Sequence, residues 1–209
     1  MSSRPVVVLD LGMGNLRSVA RALDRAGGRS QVSDDPDVIA RAERLVMPGQ
    51  GQFRDCALAL AGARGDAVRA FLATGRPYLG ICLGMQALFG SSEEAPGTVG
   101  LGVVPGEVRR FSRGLRDPAT SARLKVPHMG WNQVEGRHPA WRGGGWFYFV
   151  HSFHCVPSED GWSAGTSDHG GAFCAAVARD NMLACQFHPE KSGADGLALL
   201  SGFLEARWS

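Results

Sequence analysis

The strongest constraint on the fold is an alternation running from residue 5 to residue 89, in which an apolar run gives way to a helical pattern four times over. "PVVVLDLG" (5–12) reads as a buried strand ending in a glycine turn. In "GNLRSVARALDRAGG", which follows, Leu16, Val19, Ala20 and Leu23 recur at helical spacing, with Asn15 as N-cap and Gly27 as the stop. The pattern continues with a short strand near Arg29 to Val32, a helix over Pro36 to Ala42 and the strand "RLVMPG" (44–49). A helical stretch from Phe53 to Ala73, broken near Gly62 to Gly65, leads to the strand "RPYLGI" (76–81) and a helix over Leu83 to Phe89. Strands joined through helices lie parallel, and their helices cover both faces of the sheet.

The second half changes character. "GEVRRF" (106–111), "GGWFYFVHSFHCV" (144–156), "GGAFCAAVARD" (170–180) and "NMLACQFHPE" (181–190) are strand-like and punctuated by Gly, Asp and Asn. They predict antiparallel additions to the parallel core. A last helix places Leu197, Leu200, Phe203 and Leu204 on one face, and residues 114–125 read as a long surface loop. The expectation is an α/β fold: a mostly parallel central sheet with helices on both faces, plus antiparallel strands in the second half. With 209 residues and 44% hydrophobic content the chain can bury one core, and no repeat or linker divides it, so residues 1–209 are read as a single domain.

Charge narrows the possible partners. The net charge is +2, and the basic residues are interspersed with acidic ones, with no block that would track a phosphate backbone. Nucleic acid is not an expected partner. No apolar run reaches the roughly 20 residues of a membrane-spanning helix. The layout of "MSSRPVVVLDLG" is not that of a signal peptide, so the expected location is cytoplasmic. Five widely spaced cysteines without a CxxC pair fit a reducing compartment.

One of those cysteines stands apart. In "YLGICLGMQ" (78–86) Cys82 has Gly80 two residues before it and Gly84 two residues after. A nucleophile on a sharp strand-to-helix turn needs that spacing, because the turn is too crowded for side chains at the flanking positions. A helix starting after Cys82 would also bring N–H groups near the sulfur, favouring the thiolate. A buried cysteine between two packing glycines gives the same five letters.

A nucleophile needs a base and the base an orienting group. "CQFHPEKS" (185–192) supplies both, as His188 and Glu190 flank Pro189, which pushes His188 toward an extended backbone with the two side chains on one side. The competing constellation is a metal site from His151, His154, Cys185 and His188. Both pairs lie in strand-like sequence, where residues three apart point to opposite faces, so no metal or cofactor is expected. "MPGQGQFRDC" (47–56) runs from a strand into a turn whose bare N–H groups at Gly49, Gln50 and Gly51 are suited to a developing oxyanion.

Together "GICLGMQ", "FHPEKS" and "PGQG" resemble the class I glutamine amidotransferase family, with its flavodoxin-like glutaminase fold. "DLGMGNLRS", "KVPHMGWN" (125–132), "YFVHSFH" (148–154) and "FHPEKSG" are similar, within it, to the glutaminase subunits of imidazole glycerol phosphate synthase in histidine biosynthesis. The resemblance implies Cys82 as nucleophile, His188 as general base and acid, and Glu190 as the orienting carboxylate. It implies a glutamine site at Gly49, Gln50, Gly51, Leu83, Gln86 and Glu94, closed by His151, Ser152 and Phe153. It further implies a heterodimer with a (β/α)8-barrel cyclase subunit that receives the ammonia, with Asn15, Trp131, Asn132, Tyr148 and Lys191 at the interface or passage. The sequence departs from the pattern at Leu11 and Phe153, where the family often has tyrosine, and at Gln50, where it has valine. A non-catalytic scaffold and a partner-independent thiol hydrolase are the rival readings, and the intact Cys82, His188 and Glu190 speak against the first.

Overall fold

The computed structural model describes residues 4–136, 138 and 144–205. Its first half alternates as the sequence predicts: β1 (Arg4–Leu9), α1 (Leu16–Arg25), β2 (Gly28–Ser33), α2 (Pro36–Arg41), β3 (Leu45–Gly49), α3 (Phe53–Ala59), α4 (Ala63–Leu72), β4 (Tyr78–Cys82) and α5 (Leu83–Gln86). The second half adds β5 (Gly106–Arg110), β6 (His128–Gly136), β7 (Gly145–His151), β8 (Phe153–Pro157), β9 (Ser163–Asp168), β10 (Ala172–Arg179) and β11 (Met182–Cys185), then α6 (Gly193–Glu205). Part of the predicted last helix, Ala206 to Trp208, lies outside the described residues.

The strands form one sheet in the order β2-β1-β3-β4-β11-β10-β9-β6-β7, with β8 pairing β10 and β5. The first five are mutually parallel. This corrects the expectation for "NMLAC", which was read as antiparallel. The chain reverses between β10 and β11 at Asp180, whose φ of 50° suits a tight hairpin, so β10 is antiparallel and β11 returns parallel to β4. The run 144–156 is also two strands. It breaks at Ser152, β7 pairing with β6 while β8 joins β5 and β10. The strands β6 and β9 were not anticipated, because "HMGWNQVEG" and "SAGTSD" carry little β-propensity and are held by their neighbours instead.

Alternate residues of the parallel strands feed two cores. Val7, Leu9, Leu45, Met47 and Tyr78 pack with Ile39 of α2 and Val68 and Phe71 of α4. Val6, Val8, Val46, Leu79 and Ile81 pack with Val19 and Leu23 of α1 and Leu199, Leu200 and Phe203 of α6. Each such side chain contributes about 1.5–3 kcal/mol on burial. Since the strands are covered on both sides, they read as continuous apolar runs. On α6 the buried face is Leu199, Leu200, Phe203 and Leu204, with Leu197 only half-buried, a shift of the predicted stripe by part of a turn. α1 is capped as expected: the Asn15 side chain accepts a hydrogen bond from the Ser18 N–H at 3.2 Å.

Candidate active site

Cys82 ends β4 and starts α5, with φ 56° and ψ −108°, a left-handed backbone that a residue with a side chain adopts only under constraint. The constraint comes from what packs at the corner. A Cβ on Gly84 would overlap the Met47 carbonyl oxygen, and one on Gly80 would sit 2.9 Å from the Ala184 Cβ. The two glycines therefore let β3, β4 and β11 close around the turn while Cys82 projects from it. The helix that follows is a single turn and does not reach Phe89. The Ala87 and Leu88 carbonyls, which a longer helix would use, instead accept from Leu101, Val103 and Val104. A single turn carries little of a helix macrodipole, so its N–H groups contribute mainly as local donors.

Cys82 differs from the other cysteines in where it lies. Burial pushes the Cys56 thiol up to about 12 and the Cys174 thiol up to about 11, and raises Cys155 and Cys185 well above the ordinary range. All four are therefore held as thiols near neutral pH. Cys82 instead lines a cavity of about 500 Å³.

His188 follows β11, next to β4 in the sheet, in extended geometry with φ −106° and ψ 92°. The pairing with Glu190 is made by a 3-10 turn over Pro189–Lys191 rather than by a continuing strand. Nδ1 of His188 lies 2.8 Å from Glu190 Oε1, with both side chains almost fully buried. Nε2 is buried on the side of the ring facing Cys82 and meets no hydrogen-bond partner of ordinary geometry among the described residues. Burial alone would lower the imidazole pKa. Hydrogen bonding to, and the negative charge of, the Cys82 sulfur and the Glu190 carboxylate outweigh it, raising the pKa to about 9. Near neutral pH His188 thus holds a proton on the side facing the cavity.

The cavity collects most of the residues singled out for glutamine. Gln50, Gly51, Leu83, Gln86 and Glu94 line it, as do His151, Ser152, Phe153, His188 and Lys191. Gly49 lies in register with Cys82 across β3 and β4, and a Cβ there would meet the Leu83 Cβ at 2.9 Å. Gly51 has φ 114°, open to glycine alone in practice. Glu94 also has a structural role, its Oε2 accepting the Phe53 N–H at 2.8 Å at the start of α3, where Gln52 supplies no cap. Pro127 and Val150, inside the blocks "KVPHMGWN" and "YFVHSFH" but not singled out there, complete the lining.

Gln186 was missed altogether. It is fully buried directly after β11, and its Nε2 lies 3.7 Å from Cys82 Sγ while its Oε1 receives Gln86 Nε2–H at 3.0 Å. Only its position could have given it away, a polar amide between an apolar strand and His188. The metal constellation does not assemble. Both ring nitrogens of His151 are in hydrogen bonds, to Phe153 O at 2.8 Å and to His128 Nδ1 at 2.9 Å, and His154 stacks on Phe111 instead. Among the described residues no cluster of His, Cys, Asp or Glu could hold a metal ion.

Asn15, Trp131, Asn132 and Tyr148 lie outside the cavity lining. Trp131 and Tyr148 face each other across β6 and β7, ring centroids 6.3 Å apart, with Lys191 Nζ 6.0 Å from the Tyr148 ring. Trp131 is 54% exposed and Met129, on the same strand, 62%. Asn132 instead turns its amide to the Asp168 carbonyl and to His128 Nε2.

A thiol raised on a corner, with a buried acid-base group held beside it by a carboxylate, is equipped for acyl transfer from an amide, and the parallel sheet delivers both at the carboxyl ends of neighbouring strands. The family model for class-I glutamine amidotransferase matches residues 7–206. The imidazole glycerol phosphate synthase subunit HisH of Syntrophotalea carbinolica is 48% identical, covering 95% of this chain and 98% of the relative. The subunit of the same name from Methylococcus capsulatus is 50% identical over 97% of this chain and 96% of its own length. The chain belongs to the class-I glutamine amidotransferase family, among the HisH subunits. Its fold is also that of a solved glutamine amidotransferase (TM-score 0.75, 22% identity, covering 96% of this chain and 97% of the other). A chain of PurLQS from Thermotoga maritima has the same fold (TM-score 0.75, 18% identity, 97% and 98% covered).

Proposed function

We propose that this chain is a glutaminase that hydrolyses glutamine to glutamate and ammonia through Cys82, His188 and Glu190. We further propose that it passes the ammonia to a (β/α)8-barrel cyclase subunit, which forms imidazole glycerol phosphate and aminoimidazole carboxamide ribotide. The observation that carries the reading is the placement of Cys82 and His188 on one cavity, with Glu190 buried behind the imidazole at 2.8 Å.

The Cys82 sulfur, its proton transferred to His188 Nε2, attacks the γ-carbonyl carbon of glutamine. The oxyanion that develops is stabilised by backbone N–H groups near Leu83 and the Gly49 to Gly51 turn. As the tetrahedral centre collapses, the C–N bond breaks and His188 gives its proton to the leaving nitrogen, releasing ammonia and a glutamyl thioester. His188 then takes a proton from water, the resulting hydroxide attacks the thioester carbon, and glutamate leaves as the thiol re-forms. Glu190 keeps Nδ1 protonated and the ring oriented throughout. Gln86 has both amide hydrogens committed to protein acceptors, so it offers substrate only its Oε1, an acceptor suited to the α-ammonium. Ammonia released into water would be protonated and lose its nucleophilicity, so the reading requires a covered exit. The exposed Trp131 and Met129 on β6, with Tyr148 and Lys191 beside them, are the surface on which the partner would close.

The test is labelling with a glutamine analogue carrying a γ-chloroketone. The adduct is expected by mass on the peptide containing Cys82 and on no other cysteine, with glutamine protecting. Labelling elsewhere, or no protection, contradicts the assignment.

A further inference from the structure

The nucleophile has a neighbour with no role in the scheme above. Gln186 is fully buried, so its amide must find hydrogen-bond partners, and its orientation can be deduced from those the protein offers. The Phe153 carbonyl oxygen can only accept, so the Gln86 amide atom 3.2 Å from it is nitrogen. That same nitrogen lies 3.0 Å from Gln186 and must be donating there too, which makes the facing atom of Gln186 its oxygen. The nitrogen of Gln186 is thereby left toward Cys82 Sγ, 3.7 Å away.

The anchor extends further. The Phe153 oxygen also receives His151 Nδ1–H, so His151 Nε2 accepts from His128 Nδ1–H, and His128 Nε2 accepts from the Asn132 amide. Burial lowers His151 to about 3 and His128 to about 4, so both rings are neutral near pH 7 and each tautomer is fixed. Every amide and imidazole from Asn132 to Gln186 therefore has one orientation consistent with its neighbours.

We propose that Gln186 is a positioning residue for the nucleophile, presenting an N–H to the Cys82 sulfur that holds the thiolate in line with the cavity and stabilises it relative to the thiol. An N–H donor interacts far more strongly with a charged acceptor than with a neutral thiol sulfur. A neutral amide achieves this without competing with His188 for the proton. This assignment rests on Cys82 being the nucleophile.

The test is the rate of iodoacetamide alkylation of Cys82 in the full chain between pH 5 and pH 10, with Cys82→Ala as the blank. The apparent pKa of alkylation should rise by about one unit in Gln186→Leu, since the donor is removed at nearly constant volume. Gln86→Leu should move it the same way by a smaller amount with Gln186 untouched, because it removes the donor that fixes the Gln186 amide without adding a charge. A profile identical to wild type in a folded Gln186→Leu overturns the proposal. If that variant does not fold, an unchanged profile in Gln86→Leu overturns it. If alkylating wild-type Cys82 leaves glutamate release intact, the nucleophile assignment fails and the role of Gln186 falls with it.

Discussion

Glu190 shows how one buried group sets the chemistry of another. Its carboxylate is removed from water, with Oε1 on His188 Nδ1 and Oε2 without a hydrogen-bond partner among the described residues, a costly placement unless the imidazole beside it is positively charged. Glu190→Gln removes that charge. The expected result is a fall in kcat of about 100-fold with KM little changed, since the carboxylate orients the base without touching substrate. An equal loss in kcat/KM arising wholly from KM would contradict this role. At this scale the grouping of Cys82, His188 and Glu190 was legible in the sequence because Cys, His and Glu carry their chemistry in their type, and Gly80, Gly84 and Pro189 constrain the backbone in ways that spacing reveals. Gln186 was not, because an amide has no titration or nucleophilicity to advertise and its function depends on the two residues it touches.

The elements place those residues by simple rules. In the parallel strands, alternation between two apolar cores fixes register, so that β3, β4 and β11 bring Gly49, Cys82 and the segment leading to His188 to one edge. For β1 to β4 this could be read directly, whereas the direction of β11 could not, because it is set by the hairpin at Asp180 rather than by its own residues. The antiparallel part was legible only in outline: β5, β7, β8 and β10 fall in the runs expected, but β6 and β9 owe their existence to partners far away in sequence, and Ser152 splits what reads as one strand. The exposed side of β6 has a separate use. Trp131 is 54% exposed, with its ring against Tyr148, so Trp131→Ala should leave the melting temperature within about 1 °C. If this strand meets the partner, the same substitution weakens the complex by about 2 kcal/mol, roughly 30-fold in Kd by titration calorimetry. Unchanged affinity would move the interface elsewhere.

For the whole molecule, the histidines make stability depend on pH in a stated direction. His128 and His151 titrate near 4 and 3 in the folded chain, against about 6.5 when unfolded, so between those values the unfolded state binds more protons. Stability should therefore fall as pH drops from about 6.5 toward 4, and a variant with His151→Asn should show a shallower decline. His188 works oppositely: its folded value near 9 stabilises the fold below about 6.5, and that contribution is lost as pH rises through 9. Thermal melts across pH 4 to 10 should show a maximum between the two limbs. A flat acid limb would contradict the neutral, fixed state assigned to the His128–His151 pair.

The central claim joins a nucleophile to a coupled partner, and one measurement addresses both: glutamate release from glutamine by this chain alone, with the cyclase subunit, and with cyclase plus its ribotide ligand, each beside Cys82→Ala. The account predicts release concentrated in the third mixture and abolished by the substitution. Release that ignores the cyclase would contradict the coupling, and release that survives loss of Cys82 would contradict the nucleophile.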